Sequence, residues 1–185
     1  MRSLLFVAFI FSISACSRRQ PDPAPKLEKS DVPKENDNAI NANELDLFKI
    51  GDGVFKRYQA IGYSELSLPE KVFLCVWDLE GEIYNGGFGQ YYYNSSGNHA
   101  CDAVDALRAI GANQTAEIVR KANALFGDEG PAPNRGDRRS ELLLLSDASK
   151  KKMEEYEKEF VTDKERIQEL LSRYVSAKSA SFKTR

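Results

Sequence analysis

From residue 45 onward apolar side chains recur every three or four positions, the spacing of one buried face of an α-helix. Leu45, Phe48, Val54, Phe55, Tyr58 and Ile61 predict a first amphipathic helix, bent near Gly51 and Gly53 and ended by Gly62. Ser67 is a good N-cap, and Pro69 and Glu70 suit the first turn of a second helix. Its apolar face reads Val72, Phe73, Val76, Trp77, Leu79 and Ile83, with Glu80 breaking the stripe. Asn94, Ser95 or Ser96 can cap a third helix, in which Ala100, Ala103, Val104, Leu107 and Ile110 recur before Gly111 stops it. Thr115 or Asn113 opens a fourth, carrying Ala116, Val119, Ala122, Leu125 and Phe126. A loop rich in Pro, Gly and Asp spans 127–136. One helix then runs from about Arg139 past Leu145 through Met153, Tyr156 and Phe160, and a last one covers 163–177. No convincing period-two alternation of a strand appears. The expected fold is all-α, a single compact domain of about six helices over residues 41–185.

The first 40 residues follow a different pattern. Met1-Arg2 is a short positive start, and residues 4–13 are apolar or small, about as long as a signal-peptide core and too short to span a bilayer. The run ends in Ile13-Ser14-Ala15-Cys16, which resembles the lipobox of bacterial lipoproteins. That resemblance implies a signal peptide over 1–15 and a lipid on Cys16. Ser17, where inner-membrane lipoproteins carry aspartate, points to the outer membrane if the cell has two. An ordinary cleaved signal that happens to abut a cysteine is the alternative. Residues 16–40 hold Pro21, Pro23, Pro25 and Pro33 among charged and amide residues. So little apolar surface cannot offset the entropy of ordering, and a disordered tether is expected.

The formal net charge of −2 is too small to demand a nucleic-acid partner, although acidic residues dominate the middle of the chain and basic ones its last third. Lys150-Lys151-Lys152 and Arg138-Arg139 read as solvated helix faces, with contact to anionic headgroups the weaker alternative. No nucleophile-elbow serine, phosphate-binding Gly-rich loop or His-Glu-x-x-His occurs. His99, the single histidine, reads as a surface or helix-start residue. The acid pairs Glu80 with Glu82 and Glu154 with Glu155 point to different helix faces or read as solvated surface. With Cys16 assigned to lipid, Cys75 and Cys101 remain. A disulfide between them, worth about 3 kcal/mol in the loop-entropy model, and two separate buried thiols are both open. Nothing calls for a metal or cofactor.

The most unusual stretch is Asn85-Gly86-Gly87-Phe88-Gly89-Gln90-Tyr91-Tyr92-Tyr93-Asn94-Ser95-Ser96-Gly97, between the second and third helices. On one reading it is a tight corner that locks two helices. Its glycines then allow unusual backbone angles, Phe88 and some of Tyr91 to Tyr93 enter the core, and Asn85 and Asn94 to Ser96 act as caps. On the other, Asn85, Gln90, Tyr91, Asn94 and Ser95 converge on a pocket for a peptide, glycan or small polar ligand. Together with Leu68-Pro69-Glu70-Lys71-Val72, Val76-Trp77-Asp78-Leu79-Glu80, Ala106-Leu107 and Ile110-Gly111-Ala112, this stretch resembles the DNA-mimic-protein family of small helical bacterial proteins. The resemblance covers roughly residues 45–175 and implies an all-helical fold. In the family's namesake it also implies an acidic surface that occupies the DNA-binding face of a transcription factor. A near-neutral domain imitates a row of phosphates poorly, and a lipoprotein beyond the inner membrane would not meet a cytoplasmic repressor. The resulting expectation is a lipid-anchored extracytoplasmic binding module for an unknown protein or small polar ligand. An enzyme working through a polar pocket around 85–97 is the alternative from another class, and would need an acid or base there with a perturbed pKa. A DNA mimic binding a DNA-binding regulator is the third.

Overall fold

The computed structural model describes residues 46–163 and 165–182. The lipobox-like leader with Cys16, and the expected tether, lie outside them. The described residues are helical throughout, as the periodicity predicts: α1 (Leu47–Ile61), α2 (Leu68–Tyr93), a 3-10 turn (Ser95–His99), α3 (Ala100–Ile110), α4 (Asn113–Asn123), a second 3-10 turn (Ala124–Phe126), α5 (Arg135–Leu144), α6 (Asp147–Thr162), α7 (Ile167–Ala177) and a last 3-10 turn (Ser179–Phe182).

There are seven helices here, not six. The helix expected to run through Leu145 breaks there, because Leu145 is extended (φ −56°, ψ 137°) and the Ser146 hydroxyl accepts the Ser149 N–H to start α6 afresh. The bend expected near Gly51 and Gly53 is absent. α1 is continuous, with Gly51 lying against the rings of Phe73 and Trp77, and it ends at Gly62 (φ 81°). Ser67 starts α2 as predicted: its backbone N–H and its hydroxyl both donate to the Glu70 carboxylate, at 2.9 and 2.7 Å, and Arg57 of α1 donates to the same carboxylate at 2.7 Å.

α2 is the axis of the domain. It packs against α1, α3, α5, α6 and α7, while α4 closes the far side by packing on α3 and α6. Val76, Leu79, Phe88, Tyr92, Ala103, Leu107, Ala116, Val119, Ala122 and Leu171 are wholly buried between these helices. Alanines on α3 and α4 let those two helices approach closely. The start of α4 depends on a distant segment: the Glu165 carboxylate accepts the N–H groups of Gln114 and Thr115, at 3.1 and 2.8 Å. That carboxylate satisfies two of the donors every helix start leaves orphaned.

Candidate functional site

Residues 85–97 do not form a loop between helices. α2 continues through them to Tyr93, kinked where Gly86 (φ −164°, ψ 22°) and Gly87 (φ 73°, ψ −175°) leave helical geometry. The kink re-aims the last six residues, so that Phe88, Tyr91 and Tyr92 enter the core while Tyr93 stays half exposed. The Tyr92 hydroxyl donates to Asn123 Oδ1 (2.8 Å), and the Asn123 amide donates to Ala100 O (2.8 Å). This buried relay ties the ends of α2 and α4 to the start of α3.

The polar side chains of the stretch turn inward onto one carboxylate. Glu82 accepts from Gln90 Nε2 (2.7 Å), Asn94 Nδ2 (2.9 and 3.2 Å) and Ser96 Oγ (2.9 Å). The expected capping of α3 by Asn94, Ser95 or Ser96 is therefore not what occurs. Asn94 and Ser96 serve Glu82, Ser95 is exposed, and α3 starts after His99 with no side-chain cap. Asn85 is also exposed on the outer side of the kink, away from this convergence.

Gly97 is buried because Arg138 lies over it. A Cβ there would come within 2.7 Å of Tyr91 O and 2.8 Å of Arg138 Nε. Arg138 is itself fully buried, which corrects its reading as part of a solvated basic face. Its guanidinium donates to Tyr92 O, Asn94 O, Ala132 O, Pro133 O and Asn98 Oδ1, all between 2.7 and 3.1 Å. One side chain thus holds the end of α2, the first 3-10 turn and the loop before α5 together, using a planar fork of donors that lysine lacks.

A polar stripe on the inner face of α2 leads to this convergence: Lys71, Cys75, Asp78 and Glu82, at helical spacing. Cys75 is a free, buried thiol, so the Cys75–Cys101 disulfide is not formed. The Tyr63 hydroxyl donates to Asp102 Oδ2 (3.1 Å) and lies 3.2 Å from Cys75 Sγ, which leaves the tyrosine oxygen to accept the thiol proton. Burial pushes the Cys75 thiol up to about 12 and raises Tyr63 further above its ordinary range, so neither is a nucleophile at neutral pH. His99 stands at the start of α3, as the helix-start reading expects, and is partly buried there. Its ring stacks on Tyr63 at 3.6 Å between centroids, burial lowers its pKa, and its Nε2 is buried with no hydrogen-bond partner among the described residues. The Tyr91 hydroxyl is orphaned in the same way.

Asp78 is the group with chemical potential. Burial, and behind it the Glu82 carboxylate one turn on, pushes its carboxyl up to about 6. Because this lies above the ordinary aspartate value of 3.8, native Asp78 keeps its proton over a window where the unfolded chain has lost it. Stability therefore falls as pH rises from about 4 to 6 and carries the full penalty above that. Asp78→Asn is expected to stabilise the fold by roughly 2 kcal/mol at pH 7.5 and by almost nothing below pH 4. Urea denaturation at the two pH values checks it, and an equal effect at both would assign the change to packing.

The residues missed by sequence reasoning are Glu82, Asp78, Tyr63 and Arg138. The spacing of Lys71, Cys75, Asp78 and Glu82 is legible as a stripe once α2 is drawn, whereas nothing local marks Arg138. Glu80 and Glu82 do face different ways, but neither is a solvated surface acid. Glu80 is 9% exposed and lines a separate cleft of about 350 Å³ with Tyr84, Phe160 and Ile167, with no residue of 85–97 among its walls. Among the described residues no group of His, Cys, Asp and Glu is placed to hold a metal ion, and no helix is long and apolar enough to cross a membrane.

A kinked, glycine-bearing α2 and the turn after it, whose Gln90, Asn94 and Ser96 side chains close on Glu82, form the core of the central stretch as one unit. The chain matches the DMP19-like protein family over residues 64–178, a span that contains all of that unit. It belongs to that family. No curated protein and no solved structure matches it. In this DMP19-like chain, α1 supplies Arg57 to the Glu70 carboxylate from just before the matched span.

Proposed function

We propose that this DMP19-like chain is a lipid-anchored domain of the bacterial envelope, bound through Cys16, whose folded part is a binding module for a protein or small polar ligand. The observation that supports a scaffold of this kind over a catalyst is the inward turn of the central stretch. Gln90, Asn94 and Ser96 are spent on Glu82, and Tyr91 and Tyr92 on the core, so these residues build a rigid corner. Cys75 and Tyr63 hold their protons in the interior, which favours a scaffold over a covalent catalyst. The anchor rests on the apolar run that closes on Ile13-Ser14-Ala15-Cys16.

Enzymatic acid–base work is the second reading, and Asp78 is the observation that favours it. A carboxyl near 6 beside the central stretch is the perturbed group such an enzyme would need. The DNA-mimic role of the family's namesake has less support, since a net charge of −2 does not make a row of phosphate mimics.

Intact mass and cell fractionation of the full chain and of Cys16→Ala test the anchor. The native chain is expected to lose its first 15 residues, gain acyl mass and fractionate with membranes, and the variant to do none of these. An unprocessed native chain in the cytosol would sink the envelope reading and make binding to DNA-binding regulators the next thing to measure.

A further inference from the structure

The outer face of α5 and the corner into α6 carry a combination that the binding reading leaves unused. Along α5, Arg138, Leu142 and Leu145 turn inward, the arginine fully buried and the leucines packed on the core. Arg135, Arg139 and Leu143, spaced four residues apart, wind along the neighbouring flank. Arg139 lies over the half-exposed Tyr93 ring at 3.7 Å, and both Arg135 and Arg139 donate through Nε to Tyr93 O, at 3.2 and 2.9 Å. Leu143 and Leu144 are 76% and 84% exposed at the end of the helix. Leucines so open at adjacent positions are not explained by the core. Lys150 Nζ reaches back to Leu143 O (3.4 Å), and Lys151 beside it is also exposed.

We propose that this corner is a docking surface for an anionic lipid bilayer, with Leu143 and Leu144 entering the acyl boundary and Arg135, Arg139, Lys150 and Lys151 meeting the headgroups. The composition is that of an interfacial site: apolar side chains at the tip, an aromatic ring at headgroup level, and cations around them. Charge complementarity commits it to anionic lipid. Four cations ring the leucines against three carboxylates, Asp137 and Asp147 in the first turns of α5 and α6 and Glu141, which accepts the Ala132 N–H, while Lys152 is paired with Glu155. Each cation near a negatively charged surface strengthens binding about fivefold (about 1 kcal/mol), and the leucines add hydrophobic depth. Headgroup contact, the weaker alternative for the basic clusters, is thereby moved from Arg138 and Lys152 to this face. The inference rests on the envelope reading only for the source of the bilayer.

The test uses the full, unacylated chain carrying Cys16→Ala, with Leu144→Trp added, and vesicles of phosphatidylcholine alone or mixed with phosphatidylglycerol. Acyl chains brominated near the glycerol end report depth, with the Leu144 chain providing the Trp77 background. The indole at position 144 is expected to shift to the blue and be quenched by the anionic vesicles, with little change on phosphatidylcholine. Lys150→Gln with Lys151→Gln should lower partition at least tenfold, and Leu143→Ser with Leu144→Ser, which carries no indole at 144 and is read by sedimentation with the anionic vesicles, should abolish binding, both without loss of helical circular dichroism. Anionic vesicles that sediment the chain without quenching the indole would assign binding to the apolar N-terminal run and overturn the proposal. So would an equal response to both lipids, or no binding at all, including the case where an acidic protein binds this face instead. Because the chain tested has no acyl group, this result and the Cys16→Ala fractionation can fail separately.

Discussion

Arg138→Met is expected to lower the unfolding free energy by about 4 kcal/mol, the largest single-residue effect in the domain. Methionine fills much of the same volume, so the loss measures the donors and not a cavity. The five hydrogen bonds of the guanidinium end on four backbone carbonyls and the Asn98 side chain, in a site with no measurable exposure. Bonds from a charged donor each contribute more than neutral ones, and Tyr92 O, the buried acceptor among them, would be left without a donor. Burial lowers the pKa of this arginine, yet a guanidinium keeps its charge at neutral pH and must stay bonded. Arg138→Lys should recover little, because an ammonium cannot serve Tyr92 O, Asn94 O and Ala132 O in one plane. Arg139→Met, one residue along on the outer face, should cost less than about 1 kcal/mol. Urea denaturation of the three variants decides the matter. A loss under 1 kcal/mol for Arg138→Met would mean that the carbonyls find other donors, and the view of this side chain as the staple of the corner would be wrong.

The second large effect is expected at the kink. Gly87→Ala should destabilise by about 3 kcal/mol. Its backbone (φ 73°, ψ −175°) lies in a region open to glycine almost alone, and a Cβ would also run into the Glu157 carboxylate of α6. The two causes separate in a double substitution. Adding Glu157→Ala removes the obstruction and should return about 1 kcal/mol, while the backbone strain persists. Gly89→Ala, where a Cβ meets nothing within 4 Å, is the control and should be near neutral or slightly stabilising. Full rescue of Gly87→Ala by Glu157→Ala would show that the kink tolerates an ordinary residue and that only space was lacking.

These two glycines also show how far the sequence could be read. Three glycines at 86, 87 and 89 among aromatic rings mark a special backbone, but not which glycine bears it, since φ is positive at Gly87 and not at Gly86 or Gly89. The three consecutive tyrosines could not all face one way, and the buried pair Tyr91–Tyr92 with exposed Tyr93 follows from helical geometry alone. What the residues could not reveal is that α2 would carry on through the stretch. Its polar side chains can be read as caps or as a ligand pocket because Asn, Ser and Gln suit both, while Glu82, the carboxylate to which Gln90, Asn94 and Ser96 donate, stands 8 to 14 residues back along the chain on α2. The free thiol of Cys75 belongs to the same class: two cysteines permit a bridge, and only the folded chain shows that Cys75 is not in one.

The sequence by itself determined the helices, because each is written in local terms: a 3.6-residue apolar period, Ser67 with Glu70 at the head of α2, and Gly62 and Gly111 at the ends of α1 and α3. It also carried the family, since the motifs that define it lie in fixed register along one chain. The tertiary structure alone decided how the buried polar groups are satisfied. Arg138 reaches Tyr92 O, 46 residues back, and Glu165 caps α4 from 50 residues on. Such bonds leave no periodicity behind, because a carboxylate or guanidinium is chosen by what faces it across the core and not by its neighbours in the chain. The same holds for the leucines of the α5–α6 corner. Their apolar character is plain in the sequence, but that two of them stay outside is settled only by the packing of Arg138 and Leu142 within.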